Sequence, residues 1–244
     1  MKQNRLTFEI TSFSLHIIAM VLMLCDHLWA TIIPGNDWMN CIGRISFPIF
    51  AFLIVEGYFH TRSLKKYVLR LLFFAILSEI PFNLMISGRV FSPLHQNVLW
   101  TFLFSIGLIY WNENARKGGN PVIRMLVAIS SILVAYIVGL LTFVDYYHAG
   151  ILTVLAFYFF REKKWWSCLA LVLSLWWINA ELLGGLVYEI TIFGRTFFLH
   201  RQAFAVLSLI PILLYRGKRG YHSKAFQYAC YAFYPCHLLV LLPL

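Results

Sequence analysis

The sequence has few charged residues for its length. Asp, Glu, Lys and Arg together make up 12% of the 244 residues, and only ten residues are acidic, whereas a soluble domain carries about 25%. Hydrophobic residues make up 61% of the chain, which excludes an ordinary soluble globular protein and predicts an all-α integral membrane protein. The formal net charge of +10 then reflects basic loops on one side of a membrane, and no nucleic-acid partner is predicted.

Cysteine is also scarce and shows no recognisable spacing. The five cysteines form no CxxC pair and no Cys/His zinc spacing, which excludes a disulfide framework and predicts no metal site. A bridge between Cys25 and Cys41 stays open, since both can face one compartment. The chain shows no soluble segment, internal repeat or low-complexity linker, so residues 1–244 are predicted to form a single transmembrane domain.

Long apolar runs fill most of the chain. With a window of about 19 residues, nine apolar stretches are found at residues 12–33, 42–59, 67–87, 98–111, 122–144, 149–160, 165–179, 202–215 and 225–243. They predict a polytopic bundle of about nine transmembrane helices, within a range of eight to ten. Residues 181–193 are ambiguous, because Gly184-Gly185 and two glutamates fit either a tenth short helix or a re-entrant segment.

The distribution of basic residues indicates the orientation. With the amino terminus in the cytoplasm, sixteen of the twenty Lys and Arg residues fall in inner segments. They are Lys2, Arg5, Arg62, Lys65, Lys66, Arg70, Arg116, Lys117, Arg124, Arg161, Lys163, Lys164, Arg216, Lys218, Arg219 and Lys224. The outer segments keep Arg44, Arg89, Arg195 and Arg201. This asymmetry supports a cytoplasmic amino terminus and, with an odd number of spans, an external Leu244.

Ionisable residues at membrane depth are functional-site candidates, because placing them there costs free energy. A rise of about 1.5 Å per residue places Asp26 and His27 in the outer third of the first helix, and Glu79 and His237 just past the midplane. These groups predict a polar cavity that opens outward, although each residue alone also fits a structural ion pair. The residues predicted to bind an acceptor there are Gln96, Asn97, Asp145, His148 and His237.

Two polar stripes follow helix periodicity. His16 and His27 are eleven residues apart and share one face of the first helix with Met20 and Met23. That stripe fits either the lining of a tunnel or ordinary packing, in which Met fills gaps. The second stripe should face the interior of the bundle from the last helix, and it consists of Gln227, Tyr231, Tyr234 and His237.

Five segments together resemble the TraX family. They are "DH" at 26–27, "RISFPIFAFLIVEGYFHT" at 44–61, "YVLRLLFFAILSEIPFNL" at 67–84, "QNVLWTF" at 96–102 and "FYPCHL" at 233–238. The family is named for a conjugation-operon protein that acetylates the amino terminus of F-type pilin. The resemblance implies a multi-pass bacterial inner-membrane acetyltransferase, with acetyl-CoA as cytoplasmic donor and an acceptor at the other face. It does not fix the acceptor, which can be a protein amino terminus or an envelope glycan or small molecule.

The candidate catalytic residues follow from what acyl transfer requires. A base must take the acceptor proton, and His27 is predicted to be that base because its ordinary pKa lies near neutrality. Neighbouring helix residues point about 100° apart, so Asp26 is expected to pair with Arg44 or another helix, which leaves Glu79 as the candidate that orients His27. Arg44 fits either an oxyanion donor or the partner of a structural ion pair.

The donor site is predicted at the cytoplasmic end of the third predicted helix. CoA carries several phosphate charges, and the basic residues at this end of the helix offer complementary charge. Such residues can also have no role beyond setting the membrane topology. The predicted donor-binding residues are Arg62, Lys65, Lys66, Arg70 and, at the inner end of the first stripe, His16. Two other functions stay open, a proton-coupled transporter that uses the same Asp, His and Glu cluster and a non-catalytic membrane scaffold.

Overall fold

The computed structural model describes residues 9–162 and 164–242. Lys2, Arg5, Lys163 and Leu244, which enter the predicted topology, lie outside the described residues. Within that part the helices are α1 (Ser12–Thr31), α2 (Asp37–Gly43), α3 (Ser46–His60), α4 (Leu64–Ser87), α5 (Val98–Lys117), α6 (Pro121–Leu141), α7 (Tyr147–Phe159), α8 (Trp165–Trp176), α9 (Leu209–Leu214) and α10 (Lys224–Val240). A π-helix, Trp177–Leu183, continues α8, and a 3₁₀-helix, Arg201–Ser208, precedes α9.

Each of the nine predicted apolar stretches is largely helical in the described part of the chain. Five helical stretches are long and apolar enough to cross a membrane, namely Ser12–Thr31, Asp37–His60, Leu64–Ser87, Pro121–Leu141 and Trp165–Leu183. The structure is therefore a helical membrane bundle. The number of crossings and the cytoplasmic amino terminus stay predictions.

Residues 181–193 do not form a tenth helix. The π-helix ends at Leu183, and Gly184 and Gly185 follow with φ of 64° and 96°. A β-hairpin comes next, in which β1 (Val187–Ile192) pairs antiparallel with β2 (Arg195–His200). The helix alternative and the strictly all-α class are therefore wrong in this segment. The local sequence explains the hairpin, because β-branched residues fill β1, and Phe193-Gly194 takes the positive φ of a two-residue hairpin turn.

The short helix α7 lies in the centre of the bundle. Residues 149–158 are all buried, and α7 packs against α3, α5, α6 and α8. Gly139 on α6 permits one of these contacts, because a Cβ there would overlap the backbone of His148. With 13 residues, α7 extends only about 20 Å. Its burial rather than its length accounts for its uniformly apolar sequence.

The helices that form the site come from both ends of the chain. The first helix, α1, packs against α2, α3 and α10, while α4 packs against α5 and α10. Three of these helices begin with side-chain caps: Thr11 accepts from the Ser14 amide, Ser63 from the Lys66 amide and Ser223 from the Phe226 amide. These caps fix where α1, α4 and α10 begin, around a space left between them.

Candidate functional site

A pair of histidines joins α1 to α10. Nδ1 of His27 lies 2.7 Å from Nε2 of His237, although the residues are 210 positions apart in sequence. The two rings are parallel within 2°, with centroids 4.9 Å apart. His237 is buried, and His27 is partly buried. The polar stripe predicted on the last helix therefore does point His237 into the bundle. There it contacts His27, which belongs to the stripe predicted on the first helix.

The hydrogen bonds of this pair define its proton positions. Nδ1 of His237 lies 2.7 Å from the carbonyl oxygen of Phe233, and a carbonyl can only accept, so Nδ1 carries the proton. In the neutral His237 ring, Nε2 is then an acceptor, and Nδ1–H of His27 donates to it. Nε2 of His27 is left with a lone pair and has no hydrogen-bond partner among the described residues. The arrangement leaves one imidazole nitrogen, Nε2 of His27, without a proton and without a partner among the described residues.

Asp26 takes part in a separate network. Its carboxylate forms a salt bridge with Arg44 and accepts a hydrogen bond from Nδ2 of Asn40 at 2.9 Å. Gly43 allows this approach, because a Cβ there would lie 2.8 Å from Cγ of Asp26. The predicted pairing of Asp26 with Arg44 is present, and the two neighbours Asp26 and His27 have different partners.

Arg44 extends the network across the bundle. Its Nη1 donates to Oε1 of Gln202 at 3.3 Å, and Nε2 of Gln202 donates to Oδ1 of Asn179 at 3.2 Å. Gln202 and Asn179 are buried and belong to the 3₁₀-helix and the π-helix. Arg44 therefore ties α2 to the two irregular helices through groups that all need partners. These contacts favour the structural alternative for Arg44.

Glu79 lies in another hydrogen-bonded group. Its carboxylate accepts from the side chain of Asn97 and, at 3.0 Å, from Nε1 of Trp100. Asn97 is fully buried, and its Oδ1 caps α5 by accepting from the Leu99 amide at 3.1 Å. Glu79 forms no hydrogen bond with His27 in the described part of the chain. His27 instead bonds to His237, and the side chain of Asn97 is engaged with the Ala75 carbonyl and the Leu99 amide.

The loops before α5 and α7 place two more predicted residues, Gln96 and Asp145, side by side. Backbone hydrogen bonds join Gln96 to the loop that contains Asp145, and Oδ1 of Asp145 lies 3.5 Å from Nε2 of His95. The hydrogen bond that His95 forms with Asp145 raises the pKa of the His95 ring. Tyr146 and Tyr147 follow with φ of 60° and 47°, values that are unfavourable for non-glycine residues and are often found at functional sites.

His148 lies elsewhere, and the described residues show no metal site. The ring of His148 packs on Tyr136 of α6, 4.2 Å between centroids, and neither ring nitrogen has a hydrogen-bond partner. It does not contact the histidine pair.

No group of three or more His, Cys, Asp or Glu residues in the described ranges could hold a metal ion. Cys25 and Cys41 are free thiols, so the bridge left open above is not formed.

A cavity of about 380 Å³ runs between α1, α3, α4, α5 and α10, and we call it the inner cavity. Its deep end reaches Met23 and Tyr234, which lie one helical turn before His27 and His237 respectively. The inner cavity therefore ends next to the histidine pair. The sequence predicted a cavity that opens outward, whereas the lining of this one extends to the amino-terminal ends of α1, α4 and α10, which the predicted topology places at the inner face. His16 lines it, as expected for a tunnel, but Met20 does not.

Basic residues and one acidic residue, Glu56, line the inner cavity. Arg70, Arg219 and His222 line it, and Nε of Arg70 is buried without a hydrogen-bond partner. The other predicted donor residues, Arg62, Lys65 and Lys66, are exposed and do not line the cavity. Arg219 and His222 were missed as site residues, because their spacing carries no motif and Arg219 served only to mark topology.

The fold and this site define a multi-pass helical membrane protein in which a hydrogen-bonded histidine pair joins α1 to α10. The chain belongs to the TraX family, because the family model described as TraX protein matches residues 12–244. It is also similar to the probable fimbrial assembly protein FimC, serogroup H1, of Dichelobacter nodosus. The two sequences are 26% identical in an alignment that covers 96% of this chain and 95% of the relative. No solved structure matches the chain.

Proposed function

We propose that this protein is a membrane-embedded acetyltransferase that moves an acetyl group from cytoplasmic acetyl-CoA to an acceptor at the outer face of the bacterial inner membrane. The acceptor group is an amine or a hydroxyl, and a pilin-like protein is one candidate because the family is linked by name to pilin acetylation and fimbrial assembly. The observation that carries the proposal is the histidine pair next to the deep end of the inner cavity, in which Nε2 of His27 has no hydrogen-bond partner among the described residues.

The chemistry follows from the hydrogen bonds of the pair. The acceptor nitrogen or oxygen attacks the carbonyl carbon of the acetyl group while Nε2 of His27 takes its proton. The carbon–sulfur bond then breaks, and the proton passes from His27 to the CoA sulfur. Throughout, Nδ1–H of His27 stays bonded to His237, whose own Nδ1–H is held by Phe233. His237 is therefore a positioning residue that fixes the ring and tautomer of His27.

The inner cavity suits the donor. Its volume of about 380 Å³ lies within the range of about 300–1,000 Å³ that is usual for small-molecule sites. We assign the acetylated pantetheine arm to the cavity and the CoA phosphates to Arg70, Arg219 and His222 at its mouth. The buried, unpartnered Nε of Arg70 is a donor that an anionic ligand would satisfy.

Removal of the arginines at the mouth should weaken donor binding. The variant Arg70→Gln with Arg219→Gln should bind free CoA about tenfold more weakly for each arginine lost, because each can form a charge-assisted hydrogen bond with phosphate. Calorimetric titration of the purified protein with CoA measures this. The matched control, Lys65→Gln with Lys66→Gln, removes two exposed inner charges and should keep wild-type affinity. The reverse result would move the phosphates to the start of α4.

Incubation of the purified protein with acetyl-labelled acetyl-CoA tests the reaction itself. With a peptide that has a free amino terminus and hydroxyl side chains, we expect loss of the thioester and transfer of the label to the peptide. The same peptide with a blocked amino terminus separates amine from hydroxyl acceptors. Proton uptake by proteoliposomes without any thioester loss would contradict the proposal and support the transporter alternative.

A further inference from the structure

A second cavity lies at the inner ends of α5, α6 and α7, on the other side of the α3 end from the inner cavity. It has a volume of about 750 Å³, and three arginines from separate elements line it: Arg116 of α5, Arg124 of α6 and Arg161 after α7. We call it the arginine cavity. The acetyl-transfer chemistry proposed above uses none of these residues.

The acidic residues of the arginine cavity already have partners. Glu113 accepts from Nη1 of Arg116 at 3.2 Å and from the hydroxyl of Tyr158 at 2.8 Å. Glu162 forms a salt bridge with Lys164 at 2.7 Å. Both carboxylates in the described lining are therefore already paired, and Glu162, whose charge also acts on Arg116 and Arg161, is shared with Lys164.

Arg124 and Arg161 are available to an anion. Neither guanidinium forms a salt bridge within the described ranges of the chain. The guanidinium of Arg161 is held 3.6 Å above the ring centroid of Phe59, which fixes its plane but leaves its N–H groups free. The arginine cavity thus presents two positive groups from two elements to one space.

One wall of the arginine cavity is continuous with the lipid-facing surface of α6. Pro121, Met125 and Ala128 line the cavity over the first two turns of the helix. One turn further along the same face, Ile129 and Ile132 are 59% and 47% exposed. A ligand whose anionic group meets the arginines can therefore lay hydrocarbon along α6 without leaving the membrane.

We propose that the arginine cavity binds the phosphate headgroup of an anionic phospholipid from the inner leaflet. The basic lining selects the phosphate, and the exposed apolar face of α6 accommodates the acyl chains. A soluble phosphate compound shares the headgroup chemistry but would gain nothing from α6. The site is independent of acetyl transfer, so either proposal can fail without the other.

Thermal unfolding in neutral detergent, with added lipid, tests this site. Phosphatidylglycerol should raise the unfolding midpoint of the wild type, and phosphatidylcholine with the same acyl chains should not. Arg124→Gln and Arg161→Gln should each lower the apparent affinity for phosphatidylglycerol about fivefold. Lys117→Gln is the matched control, because Lys117 lies beside Arg116 on α5 but does not line the cavity.

Three results would overturn the proposal. One is wild-type affinity for phosphatidylglycerol in the double variant Arg124→Gln with Arg161→Gln, and another is an equal loss of affinity in Lys117→Gln. The third is equal stabilisation by inorganic phosphate or CoA without lipid, which would assign the cavity to a soluble ligand. If the double variant does not fold, Arg124→Gln alone decides, since Arg124 is exposed and its side chain has no ion-pair partner in the described structure. Native mass spectrometry then counts its bound lipid directly.

Discussion

Replacement of His27 by alanine should reduce acetyl transfer by about 10²–10⁴-fold, the usual contribution of a positioned general base. The affinity for CoA should stay at the wild-type value, because His27 lies beyond the deep end of the inner cavity and does not line it. Turnover of labelled acetyl-CoA and calorimetric titration with CoA measure the two quantities on the same preparation. His200→Ala, in the hairpin, is the matched control and should keep wild-type turnover.

A variant at His237 tests the positioning of the base separately from proton transfer itself. His237→Ala leaves Nε2 of His27 in place but removes the acceptor that holds its Nδ1–H at 2.7 Å. We expect a smaller loss of rate than in His27→Ala, together with a changed pH–rate profile, because the freed ring can take either tautomer. Wild-type turnover by a folded His27→Ala protein would remove the histidine pair from the mechanism.

The helical stretches and the Asp26–Arg44 ion pair could be predicted from the sequence. Apolar runs and the positions of Lys and Arg report directly on membrane partition, and a charged Asp26 at membrane depth needs a nearby cation such as Arg44. The inward direction of the stripe that holds His237 follows in the same way from helix periodicity. Each of these predictions depends on one helix or on a short separation in sequence.

The partner of His27 was not accessible in this way. His237 and Glu79 were predicted at the same depth, and depth alone does not tell which helix packs on α1. The structure places α10 there and holds Glu79 against Asn97 and Trp100. Long-range packing also explains why Arg219 was missed, since a loop arginine becomes a cavity residue only through the docking of α10 against α1 and α4.

The hairpin shows a different limit. Hydropathy over residues 181–193 is compatible with a short membrane segment. A hydropathy window of that length averages over the Gly184-Gly185 break and over the alternation of side chains in β1. The pattern that identifies the hairpin is local: β-branched residues at 187, 190, 191 and 192 before Phe193-Gly194. A turn signal of two residues therefore outweighs the hydrophobic content of the segment.

Replacement of Asp26 by asparagine should destabilise the protein without removing the base. The salt bridge with Arg44 is mostly buried, with side-chain exposures of 12% and 20%, and loss of one partner of a buried pair costs about 3–5 kcal/mol. We expect the free energy of unfolding, measured by denaturant titration in mixed micelles, to fall toward that range. The folded fraction should retain acetyl transfer, because Asp26 does not contact His27.

The double variant Asp26→Leu with Arg44→Met makes this test specific to the ion pair. With both charges absent, no buried charge is left without a partner, so stability should recover above that of Asp26→Asn. Glu162→Gln is the control, since its salt bridge with Lys164 is more than half exposed on both sides and should add little. If Asp26→Asn instead kept full stability and lost transfer, Asp26 would belong to the reaction. The Asp26–Arg44 pair would then have no structural role, and the oxyanion alternative for Arg44 would stand.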